Sequence, residues 1–207
     1  MASTKTSGFS LVELMITVSV SLILTGVAVV TLQPALQQQR VNDAYNLTLT
    51  SLRRAREAAA ADMRIYVVSF GPAVTTPSPN GGTITVTQNS TSGAVLFSVS
   101  LPSDVTFHVE PGIPTSPTTA PTTPDGFGSG ANTFDFDQGI GTAGGNTVYF
   151  YPDGSARDIN GNINNGVVYM GRPGSLSSCR AVTLWGATSR IRGWRLYQNG
   201  PWAWSQQ

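Results

Sequence analysis

Few side chains in this 207-residue chain are of types that do chemistry near neutral pH. His108 is the single histidine and Cys179 the single cysteine. His108 alternates with Phe107 and Val109 in a strand-like run with no serine or cysteine motif around it, so it is expected to be a strand residue, not a general base. One cysteine forms no intramolecular disulfide and no multi-cysteine metal cluster. Cys179 therefore reads as a structural thiol, with pairing between subunits as the alternative if it is exposed. Asp135 and Asp137 project from one face of a strand with Asp125 nearby, yet they lack a loop with the ligand spacing of calcium sites. Gly126-x-Gly128-x-Gly130 lacks the strand–helix frame of a dinucleotide fingerprint. No catalytic residue, no metal site and no cofactor is expected.

Two other kinds of group carry more information. Arg190 and Arg192 are two residues apart, so an extended strand points both to one side, with Trp194 beside them unless Gly193 forms a bulge; Arg195 follows. Guanidinium groups are permanently charged and fork-shaped, which suits phosphate, and such contacts give sequence-independent, salt-sensitive affinity for DNA. The alternative is a solvated strand face, or one that docks on the acidic surface of a neighbouring molecule. The second group is Glu13, the one charge in the apolar run 9–32. A charge near a bilayer centre costs about 2.5–3.5 kcal/mol on insertion scales, so a carboxylate there needs a reason. Its place near the start of the run also allows it to reach the interface.

The elements that position these groups follow from composition and period. Charged residues are 11% of the chain, well below the roughly 25% of a usual soluble domain. The formal net charge is +1, which excludes a strongly basic nucleic-acid protein on composition alone. Its distribution is uneven: between Arg64 and Arg157 there are six acids and no Lys or Arg, and from Ile159 onward five arginines and no acid. Residues 9–32 include 16 large apolar residues or Ala, and as a helix they extend about 36 Å, enough to cross a bilayer core. No clear Ala-x-Ala site follows them, which argues against a secretory signal peptide. Pro34 is a point at which this helix can bend. Helical spacing then resumes, with Val41, Tyr45, Thr48, Leu52, Ala55 and Ala59 on one stripe and Arg53, Arg54 and Glu57 off it.

After Arg64 the period changes to two. Strands are expected at 65–70, 83–87, 94–100, 105–109, 133–137, 147–151, 167–170, 180–185 and 190–196. Turn signals stand at Asn80-Gly81-Gly82, Asp153-Gly154, Asn165-Gly166 and Asn199-Gly200. Residues 111–130, rich in Pro, Thr and Gly, read as a long irregular loop, either mobile or a binding excursion. The expected fold is α+β: a long N-terminal helix, its first half transmembrane, packed against an antiparallel β-sheet domain.

The run Gly8-Phe9-Ser10-Leu11-Val12-Glu13-Leu14-Met15 closely resembles the prepilin cleavage and methylation motif of type IV pilins and type II secretion pseudopilins. The resemblance implies a leader at 1–8, cleavage between Gly8 and Phe9 by a prepilin peptidase, and N-methylation of Phe9. It further implies a transmembrane helix at 9–32 and a periplasmic half of the helix at 33–64. Glu13 is implied to meet the N-terminal amine of a neighbouring subunit during filament assembly, where two opposite charges relieve each other's desolvation. Positive-inside counting does not support this topology, because Arg40, Arg53, Arg54 and Arg56 follow the span while only Lys5 precedes it.

Residues 65–207 resemble the globular domain of the GspH/FimT family through Tyr149-Phe150-Tyr151-Pro152-Asp153-Gly154, Ala181-Val182-Thr183-Leu184 and Ser189-Arg190-Ile191-Arg192. That resemblance implies a non-enzymatic minor pilin or pseudopilin of the bacterial inner membrane. Its implied partners are other subunits and the peptidase/methylase. DNA is a further partner in the FimT branch, through a Gly-Arg-x-Arg motif. Here Ser189 stands where that motif has glycine, which puts the backbone geometry in question but not the charge.

Overall fold

The computed structural model describes residues 8–72, 81–138, 145–198 and 200–207. Positions 1–7 of the leader, Asn80 and Asn199 of two expected turns, and the Asp137 side chain lie outside the described residues. One helix, α1, runs over Leu11–Asp62 and continues through Pro34. The chain divides into two units at Gln38/Gln39, so α1 begins in the first and ends in the second. Up to Leu36 its described large apolar side chains are exposed. Beyond that, Val41, Thr48, Leu52, Ala55 and Ala59 are fully buried, on the stripe that the sequence pattern marks, and Ala44 is buried beside them. Met63 follows the helix at φ 53°, the left-handed position that glycine usually fills, and the Arg64 N–H reaches back to the Ala59 carbonyl at 3.2 Å.

The remainder is antiparallel sheet. The first sheet is built from β1 (Tyr66–Gly71), β2 (Thr83–Gln88), β3 (Val95–Ser100), β6 (Thr147–Phe150) and β7 (Ala156–Arg157), in the order β3-β2-β1-β6-β7. The second contains β4 (Thr106–Phe107), β5 (Phe134–Gln138), β8 (Asn165–Gly171), β9 (Arg180–Trp185), β10 (Arg190–Gln198) and β11 (Trp202–Gln206). Its order is β11-β10-β9-β8-β4, and β5 also pairs with β8. The observed fold is the expected one, a long helix packed on antiparallel sheets. Three details differ. Asn165-Gly166 is the start of β8, not a turn. The expected strand 105–109 shortens to Thr106–Phe107. The short strands β7 and β11 were not expected.

Two hydrophobic clusters hold the domain. The larger joins the buried stripe of α1 to both sheets, through Tyr66, Phe70, Ile84, Val148, Val168, Val182 and Leu184. The second lies on the other face of β9 and β10 and contains Ala181, Leu196, Ile113, Phe127, Trp194 and Trp202. Ile113 and Phe127 come from the Pro- and Thr-rich stretch, so 111–130 is a strap laid over the outer face of the second sheet.

Candidate functional site

At the N-terminus, Gly8, Phe9 and Ser10 precede the helix, and the Ser10 carbonyl accepts the Leu14 N–H at 3.1 Å to close its first turn. A Cβ added at Gly8 would meet nothing within 4 Å, so no packing contact requires glycine there. Phe9 is 74% exposed. Glu13 lies in the first turn of α1, where the helix dipole favours a carboxylate, and it is exposed with no partner among the described residues. The hydroxyls along the span are internally satisfied. Thr17 donates to the Leu14 carbonyl, Ser19 to Met15, Ser21 to Thr17, Thr25 to Ser21 and Thr31 to Val27, each within 3.2 Å. This is how a helix carries hydroxyl groups into a medium without water. Within the helical part of the span, from Leu11 on, Glu13 is left as the polar side chain with no such bond among the described residues.

The second candidate group is on β10. Its register with β9 runs unbroken from Arg190↔Trp185 to Arg195↔Arg180, with no bulge at Gly193. Arg190, Arg192 and Trp194 accordingly share one face, the face under the strap. Arg192 does not point to solvent. Its Nη1 donates to Asp125 Oδ1 at 2.6 Å, and the Asp125 side chain is only 4% exposed. The other oxygen of Asp125 accepts from Thr183 Oγ1 at 2.5 Å, and Trp194 Nε1 donates to Thr183 Oγ1 at 3.1 Å. Asp125, at φ 54° in a single 3₁₀ turn over Pro124–Gly126, is therefore the clasp of the strap. Arg190 is exposed, with its guanidinium carbon 5.3 Å from the Trp185 ring centroid. Arg195 is exposed on the opposite face.

Gly193 serves close approach: a Cβ there would collide with the Tyr45 ring of α1. Opposite Arg195, Arg180 is 2% exposed and donates to Asn42 Oδ1 at 3.1 Å and to the Cys179 carbonyl at 3.0 Å. Burial first, and the like charge of Arg195 second, lower its pKa to about 10. Burial pushes the Cys179 thiol up to about 12, with Glu110 adding to the shift, so it is held as an unreactive thiol. His108 is buried between Thr106 Oγ1, 3.0 Å from Nδ1, and Glu110 Oε2, 2.8 Å from Nε2. Glu110 also accepts the Gly174 N–H, so this pair ties two loops together. Sequence spacing concealed these partners: Asp125 and Arg192 are 67 positions apart, and Arg180 and Asn42 are 138 apart.

Comparison with known proteins bears on the N-terminal segment. The profile of the prokaryotic N-terminal methylation motif matches residues 3–29. No curated protein matches. The chain is also similar to a solved structure, the type IV minor pilin FimU of Pseudomonas aeruginosa, at 12% identity and a TM-score of 0.39. That alignment covers 78% of this chain and 90% of the other.

Proposed function

We propose that this chain, which carries the prokaryotic N-terminal methylation motif at residues 3–29, is a minor pilin or pseudopilin: a structural, non-enzymatic filament subunit. In this reading prepilin peptidase cleaves after Gly8 and Phe9 becomes the N-methylated terminus. Residues 9–32 hold the chain in the bacterial inner membrane, with 65–207 on the periplasmic side. One observation carries the reading. The methylation motif opens a helix whose first part, up to Leu36, has large apolar side chains left uncovered by the described residues, hydroxyls bonded back to the helix, and one carboxylate, Glu13, with no partner among them. A lipid bilayer covers the first, and a neighbouring subunit's N-terminal amine answers the last.

Intact-mass measurement of the membrane-extracted protein is expected to show loss of residues 1–8 and one added methyl group. Glu13→Ala is expected to leave that processing unchanged while abolishing entry into filaments. Retention of 1–8 would remove the prepilin assignment, and normal filament incorporation of the variant would remove the role of Glu13.

A DNA-uptake role through Arg190, Arg192 and Arg195 is the second reading. Its favourable observation is the exposed Arg190 over Trp185, an aromatic–guanidinium pair of the kind that meets nucleic acid. Against it, Arg192 is spent on Asp125 and Arg195 faces the other way. Salt-sensitive duplex binding by the full-length protein, lost in Arg190→Gln/Arg192→Gln, would decide for it.

A further inference from the structure

The carboxylates and the arginines of this chain are in different situations. In the acid-only middle, Asp104 is paired with Arg40 and Arg172, Glu110 with His108, Asp125 with Arg192, and Asp153 with Arg157. Asp62 accepts the Tyr66 hydroxyl, and Asp158 accepts the N–H groups of Asn160 and Asn162. Among the described residues beyond the apolar span, the exposed carboxylates without such a partner are Asp43 and Glu57. Arg53, Arg56, Arg64 and Arg195 are exposed, and no described carboxylate lies within 4.0 Å of any of them.

Two of these arginines share a concavity. Arg53 and Arg56, one helical turn apart on α1, line a groove of about 420 Å³ together with Glu57 and Ala60; its far wall is Pro152, Asp153 and Gly154. Asp153 does not neutralise them. Its carboxylate turns away to Arg157 Nη2 at 2.6 Å, to the Ser155 hydroxyl at 2.6 Å and to the Ser155 N–H at 2.9 Å. The groove thus has two uncommitted guanidinium groups facing a wall already satisfied.

We propose that this groove docks an acidic segment of a different polypeptide, with side-chain carboxylates meeting Arg53 and Arg56. Charge complementarity names the chemistry, because forked guanidinium donors bind carboxylates bidentately. A second copy of this chain is a poor source, since most of its own described carboxylates are engaged internally. A nucleic acid is a poor fit as well: Glu57 and Asp153 also line the groove and would repel a backbone that carries charge at every step. A polypeptide places carboxylates only where arginines wait. The inference concerns the folded domain and does not depend on the filament reading.

The test uses the full-length protein in detergent micelles and a fluorescein-labelled peptide that carries two glutamates, spaced to match Arg53 and Arg56, in an otherwise uncharged sequence. Anisotropy is expected to report binding that weakens with added salt, falls about tenfold or more in Arg53→Gln/Arg56→Gln, and survives in Arg190→Gln/Arg195→Gln. Arg53→Lys/Arg56→Lys is expected to recover part of it. All of these positions are exposed, and unchanged melting temperatures would show that the fold is intact. No peptide binding by the unaltered protein, or equal binding by the glutamine variant, overturns the proposal. Tighter binding of duplex DNA through the same two arginines also overturns it, as does self-association, measured by sedimentation, that depends on them.

Discussion

At Ser189 the backbone stands at φ 47°, in the four-residue turn between β9 and β10, and the buried hydroxyl has no partner. The left-handed conformation costs a residue with a Cβ about 1–2 kcal/mol, and an unsatisfied buried hydroxyl adds to that. Ser189→Gly is therefore expected to stabilise the domain by about 1 kcal/mol, read as a higher denaturant midpoint at unchanged slope. The sequence marked this position, because the Gly-Arg-x-Arg pattern that it resembles has glycine there; here a serine holds a backbone conformation that favours glycine. Gly193 is the converse case. Nothing in a strand-like run of arginines and aromatics signals that the hydroxyl end of the Tyr45 ring of α1 lies against residue 193. Gly193→Ala is expected to cost about 2–3 kcal/mol through overpacking, and Tyr45→Leu in the same chain is expected to return part of it. Equal loss with and without Tyr45 would show that the glycine acts on the strand alone.

Most elements were legible because period is a local property. The buried stripe of α1 and the longer strands announce themselves at spacings of three to four and of two. The elements that were missed depend on distant partners. Asn165-Gly166 resembles a turn, yet Gly166 lies inside β8 because β5 crosses it so closely that a Cβ would strike Phe136. Pro201 and the short run after it conceal β11, which forms by pairing with β10. The strap 111–130 is the clearest instance. Its composition reads as loop, and what orders it is distant: the Asp125 carboxylate reaches Thr183 and Arg192 on the second sheet, Asp135 of β5 accepts the Ser129 N–H, and Ile113 and Phe127 pack beneath. Asp125→Ala leaves Arg192, 27% exposed, without its partner and removes the clasp. The expected cost is about 2 kcal/mol, below that of a fully buried pair because water reaches the guanidinium. Hydrogen exchange is expected to speed up across 112–130 while the amides of Val41–Ala59 keep their protection. Exchange unchanged in the strap would mean that Ile113 and Phe127 hold it without Asp125.

For the whole molecule, the near-zero net charge conceals an arrangement with a consequence in acid. Most of the domain's described acids are bonded within it, whereas many of the arginines face solvent. Asp158 shows the inward case. Burial raises its pKa, but the N–H groups of Asn162 and Asn160 and the Asn162 amide outweigh it, and the net shift is downward. Asp153 is also lowered, first by the Ser155 hydroxyl, then by the Ser155 N–H and Arg157. A carboxylate whose folded-state pKa lies below its unfolded value contributes stability that is fully present above the unfolded value. That stability is lost as pH falls through the folded one. The unfolded value for Asp is about 3.9, so the domain is expected to hold its melting temperature down to about pH 5 and to lose it steeply below pH 4. In that range protonation of the acids also leaves the arginines unopposed, and self-repulsion adds to the loss. Asp158→Asn keeps an acceptor for the two backbone N–H groups but has no charge to titrate. It is expected to melt lower than the unaltered protein at pH 7 and to show a shallower decline between pH 4 and pH 2.5, as read by circular dichroism melts of the full-length protein in detergent. An identical acid limb in both proteins would assign the acid sensitivity to Asp153, the other carboxylate whose pKa is lowered, instead.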